Sequence, residues 1–246
     1  MSEQQKEVNR IAKELNVSVE TAKKLQEMAE ELGIETDTLL LTNQDIVNQD
    51  SEGDVKGSFF SKLQAKATKA KKNSITLKWN KVKGASGYQI YAAKCGKNKK
   101  YKLVKTIKKA STTSFTYKKL KKGTGYKLIV KAYKNVDGKE YTVAASKTVH
   151  EVTEGGKNTN PKSVKVNKRT VKIKNGKKFK IKSKIVKASS GKKLANHRRL
   201  SYESTNKEIA TVSKKGVIKG KKAGTCYIYV YAENGIFKKI KVTVKK

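Results

Sequence analysis

Few residues in this chain suit covalent or acid–base chemistry. There are two cysteines, Cys95 and Cys226, and two histidines, His150 and His197, all far apart in sequence. A dedicated zinc site gathers three or four such ligands, and a disulfide scaffold needs more than one pair of cysteines. Cys226 alternates with Ile228, Val230 and Ala232, which places it on a buried strand face, and Cys95 follows a strand near a turn. Both read as lone thiols, small and apolar in behaviour; a disulfide joining them is the alternative. His150 and His197 read as surface or hydrogen-bonding residues. No serine-nucleophile elbow, His-Glu-x-x-His, phosphate loop or dinucleotide fingerprint is present. Asp137-Gly138 is a hairpin turn signal rather than a calcium loop. The expectation is a protein without catalytic residues, metal or cofactor, and not an enzyme.

Residues suited to binding are more numerous. Tyr227, Tyr229 and Tyr231 alternate with apolar residues and are expected on the outer face of their strand. An exposed tyrosine row can stack on sugar rings; the structural alternative is cross-strand cover beside lysine stems. His197-Arg198-Arg199 is the one cluster of arginine, and with Lys192 and Lys193 it forms the strongest single anion-binding candidate in the sequence. Its structural alternative is a solvated loop.

Charge bounds the partners. Of 246 residues, 59 are Lys or Arg against 20 Asp or Glu, a net charge of +39. Only Arg10, Arg169, Arg198 and Arg199 are arginine, so the cation is overwhelmingly lysine. Lysine is a hydrated point charge, whereas arginine supplies the planar fork that reads bases. The surface therefore suits diffuse attraction to polyanions, with nonspecific nucleic-acid binding expected in vitro. Residues 1–54 hold 13 acids and 5 bases, a net of −8, against +47 for the remainder. That break is a domain boundary. No apolar run approaches the roughly 18 residues of a membrane span, and Met1 to Arg10 is too polar for a secretory signal.

The elements that position these residues follow from periodicity. Val8, Ile11, Ala12 and Leu15, then Ala22, Leu25, Met28, Ala29 and Leu32, recur at helical spacing. With Asn16 as a stop, Ser18 as a cap and Gly33 as a second stop, they predict helices over 4–15 and 19–32. Residues 1–41 are read as a helical hairpin and candidate docking element for a protein partner, and 42–59 as a flexible tether. The string from Ile11 to Leu25 resembles a helix-turn-helix DNA reader. However, Glu27, Glu30 and Glu31 would repel phosphate, and Leu39-Leu40-Leu41 is a poor third helix.

From Leu63 onward the period becomes two. Ser74–Trp79, Val171–Lys174, Phe179–Lys182 and Ile240–Lys245 alternate apolar with polar or lysine residues, as half-buried antiparallel strands do. Lysine on the wet face also blunts edge pairing. The fold class expected is mainly β: two β-sandwiches in tandem preceded by a short α-helical hairpin.

Two motif series carry resemblances. Ile75, Leu77, Trp79, Gly87-Tyr88-Gln89-Ile90-Tyr91 and Leu120-Lys121-Lys122-Gly123-Thr124-Gly125-Tyr126, then Leu128, Val130 and Ala132, span 60–153. This stretch resembles a fibronectin type III domain, with Lys122 where the family usually has proline. The resemblance implies core roles for Trp79, Leu120 and the corner tyrosine Tyr126. The family's integrin-binding Arg-Gly-Asp is absent. After a linker at 154–161, Tyr202-Glu203-Ser204-Thr205-Asn206, Ile209-Ala210-Thr211-Val212, Gly216–Gly220 and Ala223–Ile228 occupy 162–246. This series resembles the bacterial Ig-like domain of group 2, with Tyr202 in place of the usual tryptophan and Cys226 in the core. The tandem resembles surface proteins of Clostridia-type bacteria. It implies that the two sandwiches are Ig-like β-sandwiches in an extracellular or cell-surface adhesion or spacer module, with an anionic cell-wall polymer or acidic glycan as partner. The alternatives are a phage virion accessory protein displaying adhesive Ig-like domains, and a cytoplasmic nucleic-acid binder using the N-terminal segment.

Overall fold

A computed structural model describes residues 1–43, 62–96, 99–194 and 199–246. Three helices come first: α1 (Glu3–Leu15), α2 (Val19–Leu32) and α3 (Thr36–Asn43). The cap chemistry is local. Ser2 and Ser18 accept from the backbone N–H groups of Gln5 and Thr21, and Asn16 and Gly33 close α1 and α2 in the left-handed region.

The helix α3 corrects the two-helix expectation. Leu39 and Leu40 are buried while Leu41 stays half exposed. Three adjacent leucines cannot all face inward on a helix, so the run hides its own periodicity. The three helices are also not a separate docking unit. Ile11, Leu25, Leu39 and Leu40 share one continuous apolar core with Ile75, Leu77 and Ile90 of the strands that follow. Thr42 and Asn43, assigned to the tether from sequence, are built in. The Asn43 amide donates to the Thr142 carbonyl at 2.8 Å and accepts from the Thr142 N–H at 2.7 Å. A side chain thus completes the hydrogen bonding of a strand edge. The remainder of the expected tether, 44–59, lies outside the described residues.

The first sandwich comprises β1 (Ala65–Lys71), β2 (Ser74–Trp79), β3 (Gly87–Lys94), β4 (Lys102–Ile107), β5 (Ser114–Tyr117), β6 (Gly125–Val136), β7 (Lys139–Ala145) and β8 (Val149–Val152). One sheet runs β1-β2-β5 and the other β4-β3-β6-β7, with β8 also on β6. Ile75, Leu77, Ile90 and Val130 are fully buried between them, each worth about 2 kcal/mol of burial. Trp79 packs edge-on to Tyr88 at 5.3 Å. Tyr126 accepts from the Lys121 N–H at 3.0 Å, which ties the chain corner to its strand. Leu120 is buried beside it.

The second sandwich comprises β9 (Asn158–Thr159), β10 (Pro161–Val166), β11 (Thr170–Lys174), β12 (Lys178–Lys180), β13 (Ser183–Lys187), β14 (Lys193–Leu194), β15 (Ser201–Ser204), β16 (Ala210–Val212), β17 (Val217–Gly220), β18 (Gly224–Tyr231) and β19 (Phe237–Lys245). Its largest sheet runs β11-β19-β18-β15, faced by β12-β17-β16; β11 and β19, expected as antiparallel strands from their alternation, pair in parallel, because alternation fixes which face is wet and not strand direction. Val171, Ile218, Cys226, Ile228, Val230, Ile240 and Val242 fill the space between. Tyr202 packs on this core, and its hydroxyl hydrogen-bonds Ser183 at 2.6 Å. Both cysteines are free, Cys95 partly exposed and Cys226 buried.

The segment expected to be a plain linker is part of the fold. Thr159, Asn160 and Pro161 are buried, and the Asn160 amide pairs with both the N–H and the carbonyl of Val152, at 2.8 and 2.7 Å. The turn between β18 and β19 then wedges into the first sandwich. The Asn234 carbonyl accepts from the Ala67 N–H on β1 at 2.9 Å, and the Glu233 carbonyl from the His150 N–H on β8 at 2.9 Å. Gly235, at φ +81°, lies so close to Ala65 that a Cβ would sit 2.2 Å from its carbonyl oxygen. Here the absence of a side chain is a packing requirement.

Candidate ligand-binding face

The outer face of the sheet β11-β19-β18-β15 gathers lysine and tyrosine. Its sidedness is set by the pleat. Ile240, Val242 and Val244 enter the core, so Lys239, Lys241 and Lys245 point outward, as do Lys172 and Lys174 on β11. The same alternation on β18 turns Tyr227, Tyr229 and Tyr231 away from Cys226, Ile228 and Val230. The register sets Tyr227 opposite Lys241 and Tyr229 opposite Lys239.

The three tyrosines are not equivalent, which corrects the expectation of an exposed row. Tyr227 is 36% exposed, whereas Tyr229 and Tyr231 are only 9% and 3% exposed. Tyr229 packs on Phe237 at 5.2 Å between ring centroids. Tyr231 donates to the Glu203 carboxylate across the sheet and lies under the Lys147 ammonium of the first sandwich, 5.4 Å from the ring centroid. Burial, then the Glu203 carboxylate, pushes the Tyr231 phenol far above its ordinary pKa. Lys147 also pairs with Glu203 at 3.4 Å. Tyr231, Glu203 and Lys147 are therefore joint residues, and Tyr227 is the accessible aromatic. Lys239 lies over the Tyr227 ring at 3.8 Å and 5.8 Å from that of Tyr229. A cation held on an aromatic face keeps its outward N–H donors for a ligand while its stem is ordered.

The arginine loop is a separate place. Lys193 lies in β14, paired with β9, and Arg199 precedes β15. His197 and Arg198 lie outside the described residues. Ser201 pairs with Tyr231, so Arg199 comes in at the covered end of the tyrosine row, about 13 Å of strand from Tyr227. The Lys192 carbonyl is taken up by the Lys187 ammonium at 2.6 Å. Among the described residues the two candidate regions do not merge into one site.

Sequence reasoning singled out the tyrosines but not Lys172, Lys239 and Lys241, although their alternation on β11 and β19 was visible. Lys147 and Glu203 carried no signal, because their roles exist only when the two sandwiches meet. Of the two alternatives for the histidines, surface or hydrogen-bonding, His150 takes the second. His150 is 5% exposed and its Nδ1 lies 3.5 Å from Cys95 Sγ. Lys127, fully buried against the Tyr101 ring, departs from the rule of lysine on the wet face.

The helix-turn-helix resemblance finds its second helix engaged. Thr21 and Lys24 of α2 bind Asp137 in the β6–β7 turn at 3.0 and 2.8 Å, and Glu31 pairs with Lys134. Lys24 and Thr21 hold the Asp137 carboxyl below its ordinary pKa. Among the described residues no group of three or more His, Cys, Asp or Glu is placed to hold a metal, and no helix is long and apolar enough to cross a membrane.

Comparison with known proteins agrees with this architecture. Residues 62–148 match the family model of the fibronectin type III domain, and residues 158–244 that of the bacterial Ig-like domain (group 2). A solved structure described as "Crystal Structure of FN3tt" is 18% identical, covering 37% of this chain and 88% of its own, with a TM-score of 0.30. No curated protein matches. Both families are non-catalytic and typical of extracellular or surface proteins. The chain therefore carries a fibronectin type III domain followed in tandem by a bacterial Ig-like domain of group 2, behind three N-terminal helices.

Proposed function

We propose that this protein is a non-catalytic adhesion or spacer module at the bacterial surface that holds anionic polymers, either cell-wall polymers or acidic glycans, through its lysine-rich surface. The observation that carries the proposal is the outer sheet of the Ig-like domain. Lys172, Lys174, Lys239, Lys241 and Lys245 are exposed there, and the neighbouring carboxylate, Glu203, is already engaged by Lys147 and Tyr231. Among the described residues none of these five lysines forms an ion pair. Strand geometry spaces alternate lysines about 6.6 Å apart and adjacent strands about 4.8 Å apart, a grid that an extended polyanion can follow in several registers. Tyr227, partly exposed, holds the Lys239 ammonium against its ring and so orders one of these donors for a ligand. Each ammonium contributes little alone and is screened by salt, so avidity along a polymer supplies the hold.

The test replaces Lys172, Lys239 and Lys241 together by glutamine. Affinity for an acidic polysaccharide or a glycerol-phosphate polymer should fall at least about tenfold at low salt, with a shallower salt dependence, if each lost ammonium is worth about 0.5 kcal/mol or more. An unchanged affinity would overturn the assignment of this face.

A further inference from the structure

We propose that a cleft in the fibronectin type III domain, separate from the sheet face of the Ig-like domain, binds a cluster of linked phosphate groups. The cleft has a volume of about 690 Å³ and is lined by Lys69, Lys71, Lys72 and Lys122, with Asn73, Leu120 and Glu154. That volume is in the range of small-molecule sites, roughly 300–1,000 Å³, and is far more than one phosphate fills.

Three pieces of chain meet at this cleft and are tied by backbone. The Leu120 N–H donates to the Asn73 carbonyl at 3.0 Å, which fixes the β1–β2 turn to the corner loop. The Glu154 N–H donates to the Lys71 carbonyl at 3.1 Å, and the Gly123 N–H to the Glu154 carbonyl at 2.9 Å, which fixes the exit segment to both. Gly123 and Gly156 press backbone to backbone, and a Cβ on Gly156 would lie 2.6 Å from the Gly123 Cα. Lys122 and Lys72 pass over Gly155, with carbon atoms 3.5 and 4.0 Å from where its Cβ would be. The backbone that carries the four lysines is thus tied together, while their ammoniums stay exposed to solvent.

The charge is uncompensated. Among the described residues none of the four ammoniums forms an ion pair. One carboxylate, Glu154, faces the same cleft, leaving a net of three positive charges over a broad, solvent-open hollow. The donor type suits phosphate. Lysine binds an anion as a point charge from any direction, so attraction grows with the charge gathered in the ligand, and linked phosphates gather several charges in a small volume. No arginine and no aromatic ring lines the cleft, so it offers neither a carboxylate fork nor a sugar platform. What fits is a compact run of phosphates, whether free polyphosphate or the phosphates of a wall polymer.

The experiment titrates the full chain with inorganic tripolyphosphate, orthophosphate and a glycerol-phosphate polymer at ~0.15 M salt, where the Debye length is about 8 Å. Tripolyphosphate should bind, and amide resonances of Lys71, Asn73, Gly123 and Gly155 should shift on its addition. The quadruple variant K69Q/K71Q/K72Q/K122Q should lose at least about tenfold in affinity. A charge-matched control, K102Q/K105Q/K108Q/K109Q, should lose less than about threefold, because screened charges outside the cleft contribute little. Saturation by the glycerol-phosphate polymer with the same shifts would identify a wall polymer as a source; binding of tripolyphosphate alone would identify free polyphosphate. Equal losses in the two variants, orthophosphate binding as tightly as tripolyphosphate, or shifts confined to other residues would each overturn the proposal. The resonance shifts read the wild-type chain, so they decide the matter even if the quadruple variant folds poorly. The sheet-face lysines are untouched in both variants, so this cleft can fail while the sheet face stands, and the reverse.

Discussion

Replacing Asn234 by alanine should weaken the coupling of the two sandwiches. Asn234 is 1% exposed, and its side-chain amide donates to the Glu151 carboxylate at 3.1 Å and to the Pro161 carbonyl at 2.9 Å. A hydrogen bond to a charged group contributes about 1.5–3 kcal/mol and a neutral one about 0.5–1.5 kcal/mol, so the substitution should cost roughly 2–4 kcal/mol. The backbone bonds from Ala67 and His150 to this turn remain, so the joint is weakened rather than abolished. A cooperative unit of 150–250 residues loses about 2–4 °C of Tm per kcal/mol, giving a fall of roughly 5–15 °C. Scanning calorimetry of the intact chain should show one transition in the wild type, and in N234A either that fall or a split into two transitions. Asn234→Asp should be worse, since it sets a second carboxylate beside Glu151. A Tm within about 1 °C of wild type with an unsplit transition would refute the reasoning, because Asn234 would then carry no share of the joint.

Three further outcomes follow from particular residues. Tyr227→Ala should leave Tm within about 1–2 °C of wild type while weakening polymer binding, whereas Tyr231→Ala should lower Tm by 5 °C or more, as expected for about 3 kcal/mol lost on truncating a buried aromatic; the reverse pattern would mean that the exposed and covered ends of the row are misassigned. The Asp137 carboxyl should titrate below its usual value near 3.8. A folded-state pKa depressed in this way makes the Lys24–Asp137 contact stabilising above that value and lost as pH falls through the folded midpoint; in K24Q, carbon-detected titration should show the midpoint rising, and an unchanged midpoint would show that Lys24 is not the cause. Native chain at pH 8 should react with a thiol reagent at Cys95 well before Cys226, whose thiol is buried and pushed up in pKa; equal rates would contradict the packing of β18.

Much of this architecture was legible because local rules carry it. Ser18 opens α2, and Asn16 and Gly33 close α1 and α2, where cap chemistry says they should. The alternation in β2, β11 and β19 gave the strands and their wet faces. Trp79, Tyr126, Leu120, Tyr202 and Cys226 carried the family motifs and pack on the cores as those motifs imply. The rest depended on contacts between distant segments. Leu39-Leu40-Leu41 has no helical period, and α3 exists because the first sandwich supplies a surface for two of the three leucines. The tyrosine row was placed on the right face, but a sequence does not show that Lys147 and Phe237 cover two of its members. Glu233-Asn234-Gly235 reads as an ordinary turn, and its role in the joint comes from β1 and β8, which lie far away in sequence. The phosphate-cleft lysines, scattered over 54 positions from 69 to 122, looked like solvated surface for the same reason.

The measurement that bears most directly on the central claim is binding of the full chain to purified bacterial cell walls, intact and stripped of anionic polymer, over a salt series with duplex DNA alongside. The account predicts binding to intact walls that survives ~0.3 M salt, where screening is stronger than at the ~8 Å Debye length of physiological salt, and that fails on stripped walls. Equal and steeply salt-dependent binding to intact walls, stripped walls and DNA would contradict it, and would reduce the lysine surface to nonspecific charge.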